Sequence, residues 1–171
     1  MRLVLCLGNI GDRYKNTYHN LGFEVGDAVA TRLDCAFDKR CRNAFYFVKG
    51  DCVVAKPTTY MNLSGKAALE LMQMFKIKPE DILAVFDDFD LPSGTMRKKL
   101  CGSGGTHNGA RDLVRSVGTQ IQKLKIGIKP PLLMIDIMHF VTSKIPKEER
   151  VKIDEALGAA VEEVLNFVAG K

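Results

Sequence analysis

Apolar and polar residues follow two different periods along this chain, and glycine or proline marks most of the changes between them. Residues 3–7 form an unbroken apolar run that stops at Gly8. Such a run predicts a strand buried on both faces, as in α/β sheets. A turn holding Gly8 and Gly11 follows, and then Phe23, Val25, Ala28, Val29 and Leu33 space as one face of a helix. Residues 44–48 and 52–55 read as two strands, with Gly50 and Asp51 as the hairpin turn between them. The run Lys56-Pro57-Thr58 ends the second strand. Ser64 is placed to cap a helix whose stripe is Ala67, Ala68, Leu71, Met72 and Phe75.

Residues 82–86 predict a second buried strand, ending in Asp87-Asp88-Phe89-Asp90. Pro92 and Gly94 turn the chain into a basic strand over 95–100. A glycine-rich loop, 102–105, then leads through His107-Asn108-Gly109 to a helix near 110–117. A further strand is expected over 124–128, while 132–140 fits neither period cleanly. Pro146 opens a long last helix carrying Val151, Ile153, Ala156, Leu157, Ala160, Val164 and Leu165 on one stripe. Strands alternating with helices predict an α/β fold with a mixed, mostly parallel central sheet flanked by helices. In such sheets a site lies beyond the carboxyl ends of the strands. His19, Asn62, Asp87 and Asn108 are expected there, in loops or helix starts.

Composition narrows the class. The chain has 171 residues with 46% apolar content, enough for one domain (1–171) with an ordinary core. Its five cysteines are odd in number and contain no CxxC pair, which points to reduced thiols rather than a disulfide framework. No Cys or His pair has zinc-ligand spacing, so a zinc site is not expected. The apolar start is too short for a signal peptide and breaks at Gly8, and no stretch is long enough to span a bilayer. A net charge of +5 fits a polyanionic partner. Arg97, Lys98, Lys99, Arg111, Arg115, Lys123 and Lys125 crowd one third of the chain, and strand alternation puts Arg97 and Lys99 on one face.

His19 is the candidate general base, since imidazole titrates near neutrality and can take a proton from water. A buried carboxylate at Asp87 could orient that ring and stabilise its charged form. Asn9, Asn62 and Asn108 offer neutral amides for an oxyanion or a water. A magnesium site on Asp87, Asp88 and Asp90 is the competing reading. Gly8-Asn9-Ile10-Gly11 lacks the third glycine of a dinucleotide fingerprint, and no GxSxG elbow supports a covalent mechanism.

Five stretches in order, LGNIGDRYKNTYHNLGF, KPTTYMNLSGKA, DDFDLPSG, GGTHNG and LKIGI, resemble bacterial-type peptidyl-tRNA hydrolases. The resemblance covers most of the first 130 residues and is looser over the last forty. It implies a single-domain, phosphorylase/hydrolase-like α/β fold in a cytoplasmic monomer. It also implies hydrolysis of the ester joining a peptide to tRNA, without metal or organic cofactor. On that resemblance His19 is the base and Asp87 its partner, and Asn9 senses the blocked amino group. Tyr14, Tyr60, Asn62 and Asn108 contact the peptidyl-adenosine end, and Lys99 and Lys125 grip tRNA phosphates. Relatives that act as RNA-splicing cofactors give a second, non-catalytic expectation. The chain departs from the family pattern at Ile10 (usually proline), Tyr18 (arginine) and Thr106 (glycine), and over 130–145.

Overall fold

The computed structural model describes residues 1–130 and 136–171. One seven-stranded sheet runs through the described residues in the order β2-β3-β4-β1-β5-β7-β6. Its strands are β1 (Arg2–Cys6), β2 (Lys39–Arg40), β3 (Ala44–Lys49), β4 (Cys52–Pro57), β5 (Ile82–Pro92), β6 (Met96–Lys99) and β7 (Gln122–Lys129). The central strands β4, β1, β5 and β7 are parallel, while β3, β2 and β6 add antiparallel edges. The architecture is the single-domain mixed α/β fold that the alternation predicts.

The unbroken apolar run of β1 is explained by cover on both sides. Val4 and Cys6 pack with α1 (Leu21–Arg32) and α5 (Lys147–Ala169). Leu3, Leu5 and Leu7 pack with α2 (Ser64–Phe75) and α3 (Asn108–Val117). The β3–β4 hairpin turns at Gly50, whose φ of 57° is the left-handed value that glycine tolerates. All five cysteines are free. Burial pushes the thiols of Cys6 and Cys52 up to about 12, so neither is a ready nucleophile.

The structure corrects three sequence-based expectations. Asp87 does not lie in a loop after β5 but within it, in register with Ile126, because the strand runs on to Pro92. Ser64 is not the cap of α2. A 3₁₀ turn, Met61–Leu63, precedes the helix, and the Ser64 hydroxyl donates back to the Met61 carbonyl at 2.8 Å. The ambiguous stretch 132–140 lies partly outside the described residues (131–135); from Ile137 it forms the short helix α4 (Ile137–Val141). The two-residue strand β2 was not foreseen.

Candidate active site

The site sits beyond the end of β1 and over the middle of β5, and glycine lets it form there. The chain leaves β1, passes through the 3₁₀ turn Tyr18–Asn20 and enters α1 pressed against both strands. A Cβ at Gly22 would lie 2.4 Å from the carbonyl oxygens of both Leu7 and Val85. Only a residue without a side chain permits this approach, and it brings His19 over the middle of β5.

Asp87 continues the alternation of Leu83 and Val85 along β5. Its carboxylate is 1% exposed and is shared by two imidazoles. His19 Nδ1 donates to it at 2.9 Å from Oδ2 and 3.1 Å from Oδ1. His107 Nε2 donates to Oδ1 at 3.0 Å. His107 Nδ1 accepts from the Ala110 amide at 3.1 Å, which caps α3 and fixes the proton on Nε2. An ionised carboxylate only accepts, so His19 carries its proton on Nδ1. That leaves Nε2 as the free acceptor of the ring, and no described residue bonds it.

These contacts set the electrostatics. Burial works against charge on His19, but the Asp87 charge and hydrogen bond outweigh it and raise the imidazole above its ordinary value. Burial likewise pushes Asp87 up, and the two imidazoles together overcome it, holding the carboxyl far below the usual carboxylate range. The arrangement is a neutral-to-cationic base with a fixed counter-charge behind it.

Asn9 faces the same cleft with its amide orientation fixed. Its Oδ1 accepts from the Met61 amide at 2.7 Å, leaving Nδ2 as the outward donor. Its backbone is held by the buried Asn20. The Asn20 Nδ2 donates to the Asn9 carbonyl at 2.9 Å, and Asn20 Oδ1 accepts from the Asn9 amide at 2.8 Å. Asn9, Tyr14, His19, Tyr60, Asn62 and Asn108 line one cleft of about 270 Å³, with Met61, Met138 and Thr142. Tyr14 and Tyr60 meet edge to face at 6.4 Å on its wall. Six of the nine residues predicted for the site therefore share one cleft, and Asp87 stands directly behind His19.

The two lysines lie elsewhere. Lys125 is on the wall of a smaller adjoining pocket, paired with Asp88 at 3.2 Å. Lys99 is exposed on the edge strand β6, beside Lys123 in register. Lys123 is fully buried and donates to the Gly102 carbonyl at 2.7 Å, tying down the glycine-rich loop. Burial first, then Lys125 and Lys99, hold its ammonium below the ordinary lysine value.

The acidic run does not act as one cluster. Strand alternation sends Asp87 to the imidazoles and Asp88 to Lys125, and Asp88 also accepts from the Asp90 amide at 2.8 Å. His19, Asp87 and His107 do place three potential metal ligands within 4.8 Å of one another. In the present geometry those atoms are spent on each other as hydrogen-bond partners.

Three residues emerge that sequence reasoning did not assign to the site: Asn20, His107 and Tyr18. Tyr18, where the family pattern has arginine, is buried and stacks on Phe140 of α4 with centroids 4.4 Å apart. Phe140 also meets Phe89 of β5 edge to face at 5.6 Å. These rings pin α4 over the site, and Met138 of α4 accepts from Asn108 Nδ2 at 3.6 Å.

Comparison with known proteins identifies the family. The family model described as peptidyl-tRNA hydrolase matches residues 3–171. A peptidyl-tRNA hydrolase of a Sulfurihydrogenibium species is 42% identical, covering 98% of this chain and 91% of that protein. The peptidyl-tRNA hydrolase of Bacillus subtilis is 37% identical, covering 94% of this chain and 88% of its own. The crystal structure of peptidyl-tRNA hydrolase from Acinetobacter baumannii superposes with a TM-score of 0.91 at 30% identity, over 99% of this chain and 89% of that one. With the imidazole–carboxylate pair and the fixed asparagine amide between the end of β1 and the middle of β5, and relatives matched over nearly their whole length, the chain belongs to the peptidyl-tRNA hydrolase family.

Proposed function

We propose that His19 activates water for attack on the ester that joins peptide to tRNA, the reaction of this family, and that Asp87 keeps it ready to do so. The observation that carries this reading is the His19–Asp87 contact, with a free Nε2 and the Asn9 amide at one cleft.

The steps follow from the geometry. Water gives a proton to Nε2 as its oxygen attacks the ester carbonyl. The imidazolium that forms is stabilised by the Asp87 carboxylate, which keeps its own charge. Charge building on the carbonyl oxygen needs donors already in place, and the Asn9, Asn62 and Asn108 amides are the available ones. The tetrahedral intermediate collapses by expelling the ribose oxygen, which takes the proton back from His19 and leaves as a hydroxyl. No covalent enzyme intermediate is needed, because an ester has a good enough leaving group for direct attack.

Asn9 Nδ2 is also suited to donate to the carbonyl of the acyl group on the blocked amine, the acceptor that a free aminoacyl ester lacks. Tyr14 and Tyr60 offer aromatic surface to the terminal nucleoside. Lys99, with Arg97 and Lys125 nearby on β6 and β7, supplies phosphate contacts that carry no base sequence, as an enzyme for many tRNAs requires. The chain contains no described helix long and apolar enough to cross a membrane. We infer that it acts as a monomer in the cytoplasm, where translation produces its substrate.

The test is incubation with N-acetyl-aminoacyl-tRNA and with free aminoacyl-tRNA, each in EDTA. Cleavage of the blocked ester alone supports the reading. Loss of cleavage in EDTA would favour a metal-dependent hydrolase, and binding without cleavage a non-catalytic RNA-binding protein.

A further inference from the structure

Tyr14 reaches the catalytic cleft on a loop that is fastened from outside. Between Gly11 and Thr17 the backbone closes three turns: Tyr14 N–H donates to Gly11 at 3.2 Å, Lys15 N–H to Asp12 at 3.2 Å and Thr17 N–H to Tyr14 at 3.3 Å. These lie at or past the long end of ordinary N–H···O bonds. Residues 11–13, 15 and 16 are exposed, so the core does not hold them. Among the described residues, every polar contact that reaches from 11–16 beyond the neighbouring Thr17 goes to one distant segment, 144–150.

That segment grips the loop at three points. Lys144 Nζ donates to the carbonyl of Arg13 at 3.2 Å and also to that of Lys15. The backbone of Lys144 bridges antiparallel to Thr17, and the amide of the buried Ile145 donates to the Asn16 carbonyl at 2.9 Å. Arg150 Nη1 donates to Asn16 Oδ1 at 3.0 Å, while Nη2 reaches Glu24 of α1 at 2.8 Å and Nε reaches Asp154 at 2.9 Å. The rigid fork of a guanidinium serves all three acceptors at once. Asn16 stands at a φ of 58°, the left-handed value that asparagine tolerates, and its side chain is held there by Arg150.

We propose that Lys144 and Arg150 are positioning residues for Tyr14, holding its ring beside Tyr60 on the cleft wall, so that the C-terminal segment sets affinity for the substrate. The proposal rests on the hydrolase reading and adds how that wall is held in place.

From Tyr18 onwards the chain is fastened by other means. Tyr18 stacks on Phe140, His19 is bonded to Asp87, and Asn20 is bonded to Asn9. Loss of the grip on 11–16 therefore reaches Tyr14 and leaves the base where it is. Its signature is a raised KM with kcat kept and the acid limb of the pH profile unmoved.

The experiment is a double-mutant cycle on N-acetyl-aminoacyl-tRNA. Arg150→Met removes the donors and keeps an unbranched side chain, and it is expected to raise KM about threefold to tenfold with kcat within about twofold. Asn16→Gly keeps the left-handed turn and deletes only the acceptor, leaving Arg150 paired with Glu24 and Asp154; it is expected to raise KM in the same way. Tyr14→Ala also raises KM, and in that background Arg150→Met is expected to add less than about twofold, because the ring it positions is gone. An equal KM rise from Arg150→Met with and without Tyr14 would overturn the proposal, since a merely structural role adds independently. A wild-type KM in Tyr14→Ala, or a fall in kcat with a moved acid limb in Arg150→Met, would overturn it as well. If the wild-type protein does not cleave the blocked ester, the hydrolase reading itself fails.

Discussion

The Asn20 carboxamide grips the backbone of Asn9 from both sides, giving a proton to its carbonyl and accepting one from its amide. Both residues are almost fully buried, at 5% and 6% exposure. The turn that presents Asn9 is therefore fixed by a side chain eleven residues away rather than by proline, which this chain lacks at position 10. Asn20 touches no substrate on this account; it positions a residue that does.

Asn20→Ala is expected to lose this clamp and leave two buried backbone groups unpaired, at about 1–3 kcal/mol each. A misplacement of about 1 Å at a positioning group can cost ~100-fold in rate. The expected outcome is a fall of about 10–100-fold in kcat on blocked esters, with a lower Tm. Asn20→Asp separates the two effects, since it keeps the acceptor for the Asn9 amide but turns a carboxylate oxygen towards the Asn9 carbonyl. A wild-type kcat in Asn20→Ala at a reduced Tm would leave Asn20 a purely structural role.

The His19–Asp87 pair predicts a pH profile. On the proposed mechanism His19 takes the proton of water only when neutral, and Asp87 raises its pKa above the ordinary imidazole value of about 6.5. The acid limb of kcat/KM should therefore lie above pH ~6.5 in the wild type. In Asp87→Asn it should move down, with kcat lower by about 100-fold or more. Stability follows the same pair with opposite signs. The raised His19 pKa contributes stability that is complete below about pH 6.5 and is lost as pH rises through the folded-state value. The depressed Asp87 pKa contributes stability that is present above about pH 4 and is lost as pH falls through its folded-state value. An acid limb that stays in place in Asp87→Asn would contradict the pairing.

His107 is the second donor to Asp87 and also caps α3, so its replacement should read out twice. His107→Ala is expected to cost about 0.5–2 kcal/mol of stability through the lost cap. It should also move the acid limb upwards, because one of the two groups that share the Asp87 charge is gone and His19 holds the remainder. An unchanged limb with a lowered Tm would confine His107 to capping.

Much of the fold was legible because burial on both faces leaves a plain signature. The run 3–7 can only be a central strand, and its alternating sides find α1 and α5 on one face and α2 and α3 on the other. The site was legible where a chemically distinct residue follows such a strand, as His19 and Asn9 do. Asp87 was recognised by type but misplaced, since apolar patterning stops at Phe86 while backbone pairing with β7 does not. His107 was visible only as part of a glycine-rich loop. What sequence could not supply is the path of that loop, which returns the ring over the middle of β5, where it also packs on Phe86 at 4.7 Å. Ser64 misled because a 3₁₀ turn ahead of a helix moves the true start upstream.

Aromatic contacts hold α4 in place, and their loss should affect binding more than chemistry. Such pairs contribute about 0.5–1.5 kcal/mol each beyond burial. Phe140→Ala removes the stack on Tyr18 and the contact with Phe89, and it frees Met138 from its place over Asn108. KM for blocked esters is expected to rise about threefold to tenfold with kcat within about twofold. A selective loss of kcat would mean instead that α4 organises the reacting groups.

The lysines differ in surroundings, and their salt dependence should differ accordingly. Lys99 is exposed, so a phosphate it meets displaces counterions, and Lys99→Ala should reduce the log–log salt slope of substrate binding by about one. Lys125 is already paired with Asp88 and is only 17% exposed at its side chain. A phosphate reaching it must share it with that carboxylate, so Lys125→Ala should change the slope by less than one. It should nonetheless weaken affinity as much or more, because it leaves the Asp88 charge unpaired on the wall of the pocket beside His19. Asp88→Asn separates these effects: with the internal partner neutralised, Lys125 becomes free for phosphate, and both affinity and salt slope should rise. If Asp88→Asn leaves the slope unchanged, Lys125 holds the pocket wall together and the tRNA backbone is gripped from β6 alone.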